Sequence, residues 1–229
     1  MEDAEAQALV ERAVELGSWQ PPAGCSVAFV RASEIQRLWG GMGSVLELDI
    51  ATTGGTNSSH QQLVAKHVQL PAGQLDVGDQ RKKDSYVCEA HFFGGTMAAE
   101  LRQAGCCVPR GILVDRRDDG VTILMSRLTG SSGGRMQQPE TSTAVVFLAT
   151  MHGHTWGARA DAAVAAGAQP QGCYWYLDTR LDEMDSISQR GWTGRLRRAA
   201  RALDERLKAD PSGGGGAMSA MPRKKERKK

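Results

Sequence analysis

A single lysine set inside an apolar run is the most chemically suggestive feature of this 229-residue chain. Gln62-Leu63-Val64-Ala65-Lys66-His67-Val68 has the aliphatic and β-branched content of a half-buried strand. Alternation sends Leu63, Ala65 and His67 to one side and Gln62, Val64, Lys66 and Val68 to the other. Lys66 therefore shares a face with two valines, and its ammonium must either snorkel to water or meet an anion. If the strand lies at a sheet edge, the lysine is simply solvated. Glu89 is the next group of interest. It stands three residues after Tyr86, on the margin of an apolar helical stripe. An acid there is ordinarily solvated, and it gains interest because an earlier strand supplies an inward lysine. A third feature is the cluster Gly40-Gly41-Met42-Gly43-Ser44. Closely spaced glycines let backbone N–H groups approach a phosphate without Cβ clashes. The cluster lacks the full Gly-x-Gly-x-x-Gly, and a plain hairpin turn explains it equally well. His152-Gly153-His154 sits in a helical pattern, where His152 reads as a packing residue and His154 as solvent-exposed.

The bulk properties bound what these residues can belong to. Hydrophobic content of 41% and charged content of 24% are those of an ordinary globular protein. The length suits one large domain or two small ones. No apolar run approaches the roughly 20 residues of a membrane span, and the acidic start Met1-Glu2-Asp3 is unlike a secretory signal. Five cysteines, an odd number, then point to reduced thiols in a cytoplasmic protein. No Cys-x-x-Cys or His-x-x-x-His spacing suggests zinc. Net charge is +2, but Arg223 to Lys229 holds six basic residues and one acid, so the rest of the chain sums to −3. The folded part is not that of a nucleic-acid-binding domain. Weak polyanion binding, or a nuclear address, would reside in that basic tail.

The elements that must position Lys66 and Glu89 read as follows. Asp3 to Leu16 is an amphipathic helix stopped by Gly17, and Pro21 to Gly24 is a linker. Ser26 to Arg31 is a strand. Val45 to Ile50 is another, with Val45, Glu47 and Asp49 on a wet face and Leu46, Leu48 and Ile50 on a dry one. A Thr/Gly/Ser/Asn-rich loop, Ala51 to His60, leads into the lysine strand. Arg81-Lys82-Lys83 reads as a solvated charge run in a polar loop. Asp84-Ser85 then caps a helix whose apolar positions are Tyr86, Ala90, Phe93, Met97 and Leu101, weakened at Gly94-Gly95 and ended by Gly105. Strands Gly111 to Asp115 and Val121 to Met125 flank a turn at Arg116 to Gly120. Ser131 to Gln138 is a linker. Glu140 to Trp156 is a helix with Ala144, Val145, Leu148, Ala149 and His152 on one face, followed by an alanine-rich segment, Ala158 to Ala168. Cys173 to Leu177 is an aromatic cluster. Arg180 to Lys208 reads as one or two helices broken near Gly191 and Gly194, and the glycine run from Gly213 begins a disordered end.

This order resembles the N-terminal lobe of the protein-kinase-like fold: a glycine-turn hairpin, a Val-Ala-Lys strand, a helix bearing a glutamate and a closing hairpin. Ser85-Tyr86-x-x-Glu89-x-x-Phe92-Phe93 followed by Val108-Pro109 resembles the small-molecule kinases, the relatives of choline kinases, aminoglycoside phosphotransferases and ecdysteroid kinase-like proteins. Leu148-Ala149-x-Met151-His152-x-x-x-Trp156-Gly157 is similar to that group's Leu-Ala-x-Leu-His-Ala-x-x-Trp helix, and Tyr174 to Arg180 is also familiar from it. The resemblance spans roughly residues 25 to 208. It implies an α+β fold: a kinase-like lobe over residues 25–130 with an antiparallel five-stranded sheet and one αC-type helix, then a partial helical lobe over 131–209. Residues 1–24 would be a leading helix and linker, and 210–229 a disordered tail.

By the same resemblance the cofactor is ATP. Lys66 would hold its α- and β-phosphates, Glu89 would pair with Lys66, and Gly40, Gly41, Gly43 and Ser44 would cover the phosphates. Met125, Ser126, Arg127 and Leu128 would form the hinge beside adenine, with Ser126-Arg127 standing where the group usually carries an acidic pair. Phosphoryl transfer also needs a base and magnesium-holding carboxylates, which in this group come from a His-Gly-Asp…Asn loop and a later Asp. The sequence carries no such loop, since His152-Gly153-His154 has His where Asp is required. The expectation is thus the ATP-binding portion of a small-molecule phosphotransferase, truncated before its catalytic segment, inactive alone and without a means of holding magnesium. Its partners would be a nucleotide and an acceptor that the sequence does not identify. A non-catalytic interaction module and an unrelated enzyme using Cys or His chemistry are the alternatives.

Overall fold

In a computed structural model of the chain, the structure describes residues 1–54, 60–70, 73, 75–130, 137–170 and 192–209. The chain divides into two compact units, Met1–Tyr174 and Trp175–Lys229. The described part of the second is one amphipathic helix, Trp192–Ala209. Gly194 lies inside that helix and does not break it, and Gly191 and the aromatic cluster fall outside the described residues.

The first unit is built on an antiparallel five-stranded sheet with helices. Its strands are β1 (Cys25–Arg37), β2 (Gly43–Gly54), β3 (His60–Gln69), β4 (Gly111–Arg117) and β5 (Gly120–Ser126), arranged in the order β1-β2-β3-β5-β4. The lysine strand β3 is therefore central, not an edge. Ladders on both sides hold it, with Lys66 opposite Val45 of β2 and opposite Ile123 of β5. All five strands run further than their apolar cores suggest. β1 continues to Arg37 and β2 to Gly54, and the β4–β5 turn shrinks to Asp118-Asp119 because Arg117 and Gly120 pair directly. Backbone pairing continues wherever a neighbour strand is available, whatever the side-chain polarity.

Each sheet face has its own helix. α1 (Asp3–Glu15) packs Ala6, Leu9, Val10 and Ala13 into one cluster with Val30, Leu46, Leu48, Ile50, Leu63, Ala65 and Leu124. The Glu5 carboxylate accepts from the Glu2 backbone N–H (3.0 Å), closing the first turn. The helix ends where the Ser18 N–H donates back to the Ala13 carbonyl (3.0 Å). Asp3 Oδ1 accepts from the outward N–H of Ala32 (2.8 Å), which ties α1 to the edge strand β1.

The opposite face carries α2 (Val77–Gly94), with Ala90, Tyr86 and Phe93 against Val64, Val68, Val121, Ile123 and Met125. This helix starts well before the expected Asp84-Ser85 cap. Asp76 is the N-cap, its carboxylate accepting from the Asp79 N–H at 2.6 Å. Arg81-Lys82-Lys83 is thus helical rather than a loop, and Lys82 is half-buried against Asp79 (2.7 Å). The expected single helix through Leu101 breaks after Gly94, and a short α3 (Met97–Gln103) follows. α4 (Gln138–His154) and α5 (Ala158–Ala165) complete the described unit. Gln138 is helical, and residues 131–136 of the expected linker fall outside the described residues.

α4 turns a different face inward from the one its sequence suggests. Ala144, Phe147, Thr150, Met151 and His154 are half-buried, whereas Val145, Leu148, Ala149 and His152 are exposed. The two histidines exchange the expected roles: His152 faces solvent and His154 packs.

Candidate functional site

The group of polar residues with the greatest chemical potential lies on the α2 face of the sheet. The pleat brings Lys66 to this face, and Tyr86, Glu89, Ala90 and Phe93, at helical spacing, bring α2 over it. The Lys66 ammonium and the Glu89 carboxylate form an ion pair and hydrogen bond. Their side chains are 17% and 31% exposed, so the pair is largely shielded and still reachable from water. The ammonium also lies 5.0 Å from the centre of the Tyr86 ring, within cation–π range. One strand and two successive turns of one helix thus fix a single cation between a carboxylate and an aromatic ring.

The glycine cluster closes the β1–β2 hairpin beside this face. A short 3₁₀ turn, Trp39–Gly41, is closed by the Leu38 N–H donating to the Gly43 carbonyl (2.9 Å). Gly40 and Gly41 have φ of 76° and 72°, a left-handed conformation that glycine adopts without steric cost. Gly43 has a further reason to be glycine: any Cβ there would strike the His67 carbonyl of β3. Gly41, by contrast, faces open space. Lys82 of α2 reaches this turn, since a Cβ added at Gly40 would stand 2.9 Å from its Nζ.

Ser44 does not join Lys66. It is buried, pairs with His67 and shares the α1 face with Leu46 and Leu48. Met125 is buried on the α2 face, against the same cluster as Ala90 and Val64. Ser126 is engaged at two points: its N–H donates to the Arg110 carbonyl (2.9 Å), and its hydroxyl accepts from the Arg110 N–H (2.8 Å). Leu128 is exposed. Arg127 turns its guanidinium back over the sheet. It pairs with Glu47 of β2 (2.7 Å) and donates to the Gln62 side chain, whose amide in turn donates to Asp49 (2.9 Å).

Two features of this face were not singled out from the sequence. One is Lys82, which joins the stripe Lys82, Tyr86, Glu89, Phe93 once α2 is begun at Asp76. The pair Asp76-x-x-Asp79 was the available signal. The other is the Glu47–Arg127–Gln62–Asp49 network, whose two acids alternate on the face already read as wet. Among the described residues no group of three or more His, Cys, Asp or Glu converges as a metal site would require, and no helix is long and apolar enough to cross a membrane. No family model, curated protein or solved structure matches the chain.

Proposed function

We propose that the sheet and α2 form a nucleotide-binding lobe of the protein-kinase-like kind, from its small-molecule kinase branch, with ATP as the nucleotide. The observation that carries this reading is the Lys66–Glu89 pair, joining a central strand to the facing helix beside a glycine turn. A lysine so held neutralises phosphate charge at a fixed point, and the helix-borne acid keeps its ammonium in place. Val45 and Val64, both half-buried, supply apolar surface on the same face for a base, with Met125 buried behind them. Phosphate cover falls to the backbone at Gly40 and Gly41, with Lys82 as a second nearby cation. Ser44 takes no part in this. Because the Ser126 N–H is already used, base recognition at the hinge falls to the backbone of Arg127 and Leu128.

The reading is of binding, and no step of phosphoryl transfer is assigned to a residue. His152-Gly153-His154 is helical, within α4, with His152 in solvent. Magnesium has no assigned ligand in this chain. A non-catalytic interaction module is the second reading, favoured by the Arg127–Glu47 pair, which occupies the β5 end of the face where a base would lie.

Titrating ATP while following thermal unfolding separates the two. At a concentration about a hundred times Kd, ligand binding adds about 2.7 kcal/mol, a rise of roughly 5–10 °C for a chain of this size. Lys66→Ala should abolish that rise. A midpoint in the native chain that does not respond to ATP would sink the nucleotide reading.

A further inference from the structure

We propose that the cavity where α2 overlies the β4–β5 turn binds a small carboxylic acid with an apolar body of one or two rings. Strand register builds its floor. Val68 of β3 stands opposite Val121 of β5, and Val121 opposite Arg116 of β4, so the three form one row across the α2 face. Lys83, Tyr86 and Val87, three and four residues apart, bring one side of α2 to that row. In the next row Ile123 and Val114 pack with Ala90 and Phe93. Over the first row a space of about 300 Å³ remains.

Two kinds of surface meet in this space. Leu70, Val87 and the Tyr86 ring keep apolar surface within reach of a ligand, with Val68 and Val121 buried beneath them. The charged groups are Lys83 on the helix wall, Arg116 and Arg117 on the sheet wall, and Asp118 at the turn. Arg117 is shared with Asp119, 3.6 Å away. Lys83 is half-buried and Arg116 exposed, and neither side chain has an ion pair or hydrogen bond among the described residues. An ammonium partly withdrawn from water, with no acceptor of its own, gains from one that a ligand supplies.

Three cations against two acids leave one net positive charge, which matches a monoanion and not a polyphosphate. A carboxylate offers two oxygens, one for an ammonium and one for the guanidinium fork on the facing wall. An inorganic anion would leave the apolar surface uncovered, and a neutral hydrocarbon would leave the cations unanswered. A cavity of about 150 Å³ holds a benzene ring, so about 300 Å³ admits a body of two fused rings with its acid group. Lys66 is not among the residues that line this space, so the site stands apart from the nucleotide reading.

The probes are 2-naphthoate and its neutral amide, titrated into the full chain at low salt while the methyl resonances of Leu70, Val87 and Val121 are followed by NMR. The acid should bind about tenfold more tightly than the amide, the worth of one charge-assisted hydrogen bond. Lys83→Gln and Arg116→Gln should each narrow that preference, and the double variant should abolish it. Lys66→Ala should leave it intact. Equal binding of the two probes to the native chain, no binding of either, or a preference that survives in the double variant would overturn the proposal. Loss of the preference in Lys66→Ala would overturn it as well, because it would assign the acid to the nucleotide site.

Discussion

Toward α1 the sheet presents Leu46, Leu48, Ile50, Leu63, Ala65 and Leu124, all buried. Toward α2 the same strands present Val68, Ile123 and Met125, buried beneath the helix, and Val45, Glu47, Asp49, Val64 and Lys66, all half-buried. One pleat thus serves two purposes, because residues one step apart point in opposite directions. The dry face gains stability from continuous packing against a stripe of α1. The other face is covered where Ala90, Tyr86 and Phe93 lie, and the rest is left to charges that satisfy one another: Lys66 with Glu89, and Arg127 with Glu47. Partial cover is what the proposed nucleotide site requires, since a fully packed face has no room for a ligand.

The sharpest way to break this comparison is to truncate one residue on each face. Leu48→Ala, at a fully buried position, should cost about 2–5 kcal/mol in urea unfolding. Val45→Ala, three positions earlier on the half-buried face, should cost about 1 kcal/mol or less. Similar losses at the two sites would mean that the faces are equally packed. An intermediate effect is expected at the ion pair. A double-mutant cycle on Lys66→Met and Glu89→Gln should give a coupling of about 1–2 kcal/mol, above the usual surface pair and below a fully buried one. Additive losses would show that the two groups do not stabilise one another.

The smallest expected effect belongs to the dry face. His67 is buried there, with Nδ1 3.0 Å from the Thr122 hydroxyl. Burial lowers its pKa, aided by the positive charges of the chain N-terminus and Arg117. The unfolded chain therefore binds the proton more readily than the folded one. The stability His67 contributes is fully present above the unfolded pKa of about 6.5 and is lost as pH falls below it. His67→Asn should flatten the decline between about pH 7 and pH 5, and an unchanged slope would assign that decline to other groups.

The sheet was legible because alternation is a strong signal. Leu46, Leu48 and Ile50 against Glu47 and Asp49 specify both a strand and its faces. The ends were not, since strand pairing continues through Ser33 to Arg37, whose one apolar residue is the exposed Ile35, and through Thr52 to Gly54, which has none. The start of α2 was misplaced because Asp84-Ser85 is as good a cap as Asp76, and three adjacent cations resemble a loop. The face of α4 was misread because Ala144 to Ala149 is apolar all round, so its periodicity marks no side. Ser44 shows a subtler loss. A glycine turn suggests that everything within it serves one ligand, but the pleat resumes at Gly43 and carries Ser44 to the other face. Central placement of Lys66 is a property of strand order, which no local pattern encodes.

That strand order also decides which member of the ion pair is free to move. β3 is laced to β2 and β5 along its length, so displacing the Lys66 backbone requires parting two ladders at once. α2 rests on its neighbours through side chains and ends at the Gly94-Gly95 break. Where the pair parts by backbone movement, it is α2 that is expected to carry Glu89 away, since the backbone of Lys66 is held on both sides. Amide exchange should find β3 among the slowest protons in the chain and the last turn of α2 among the faster ones.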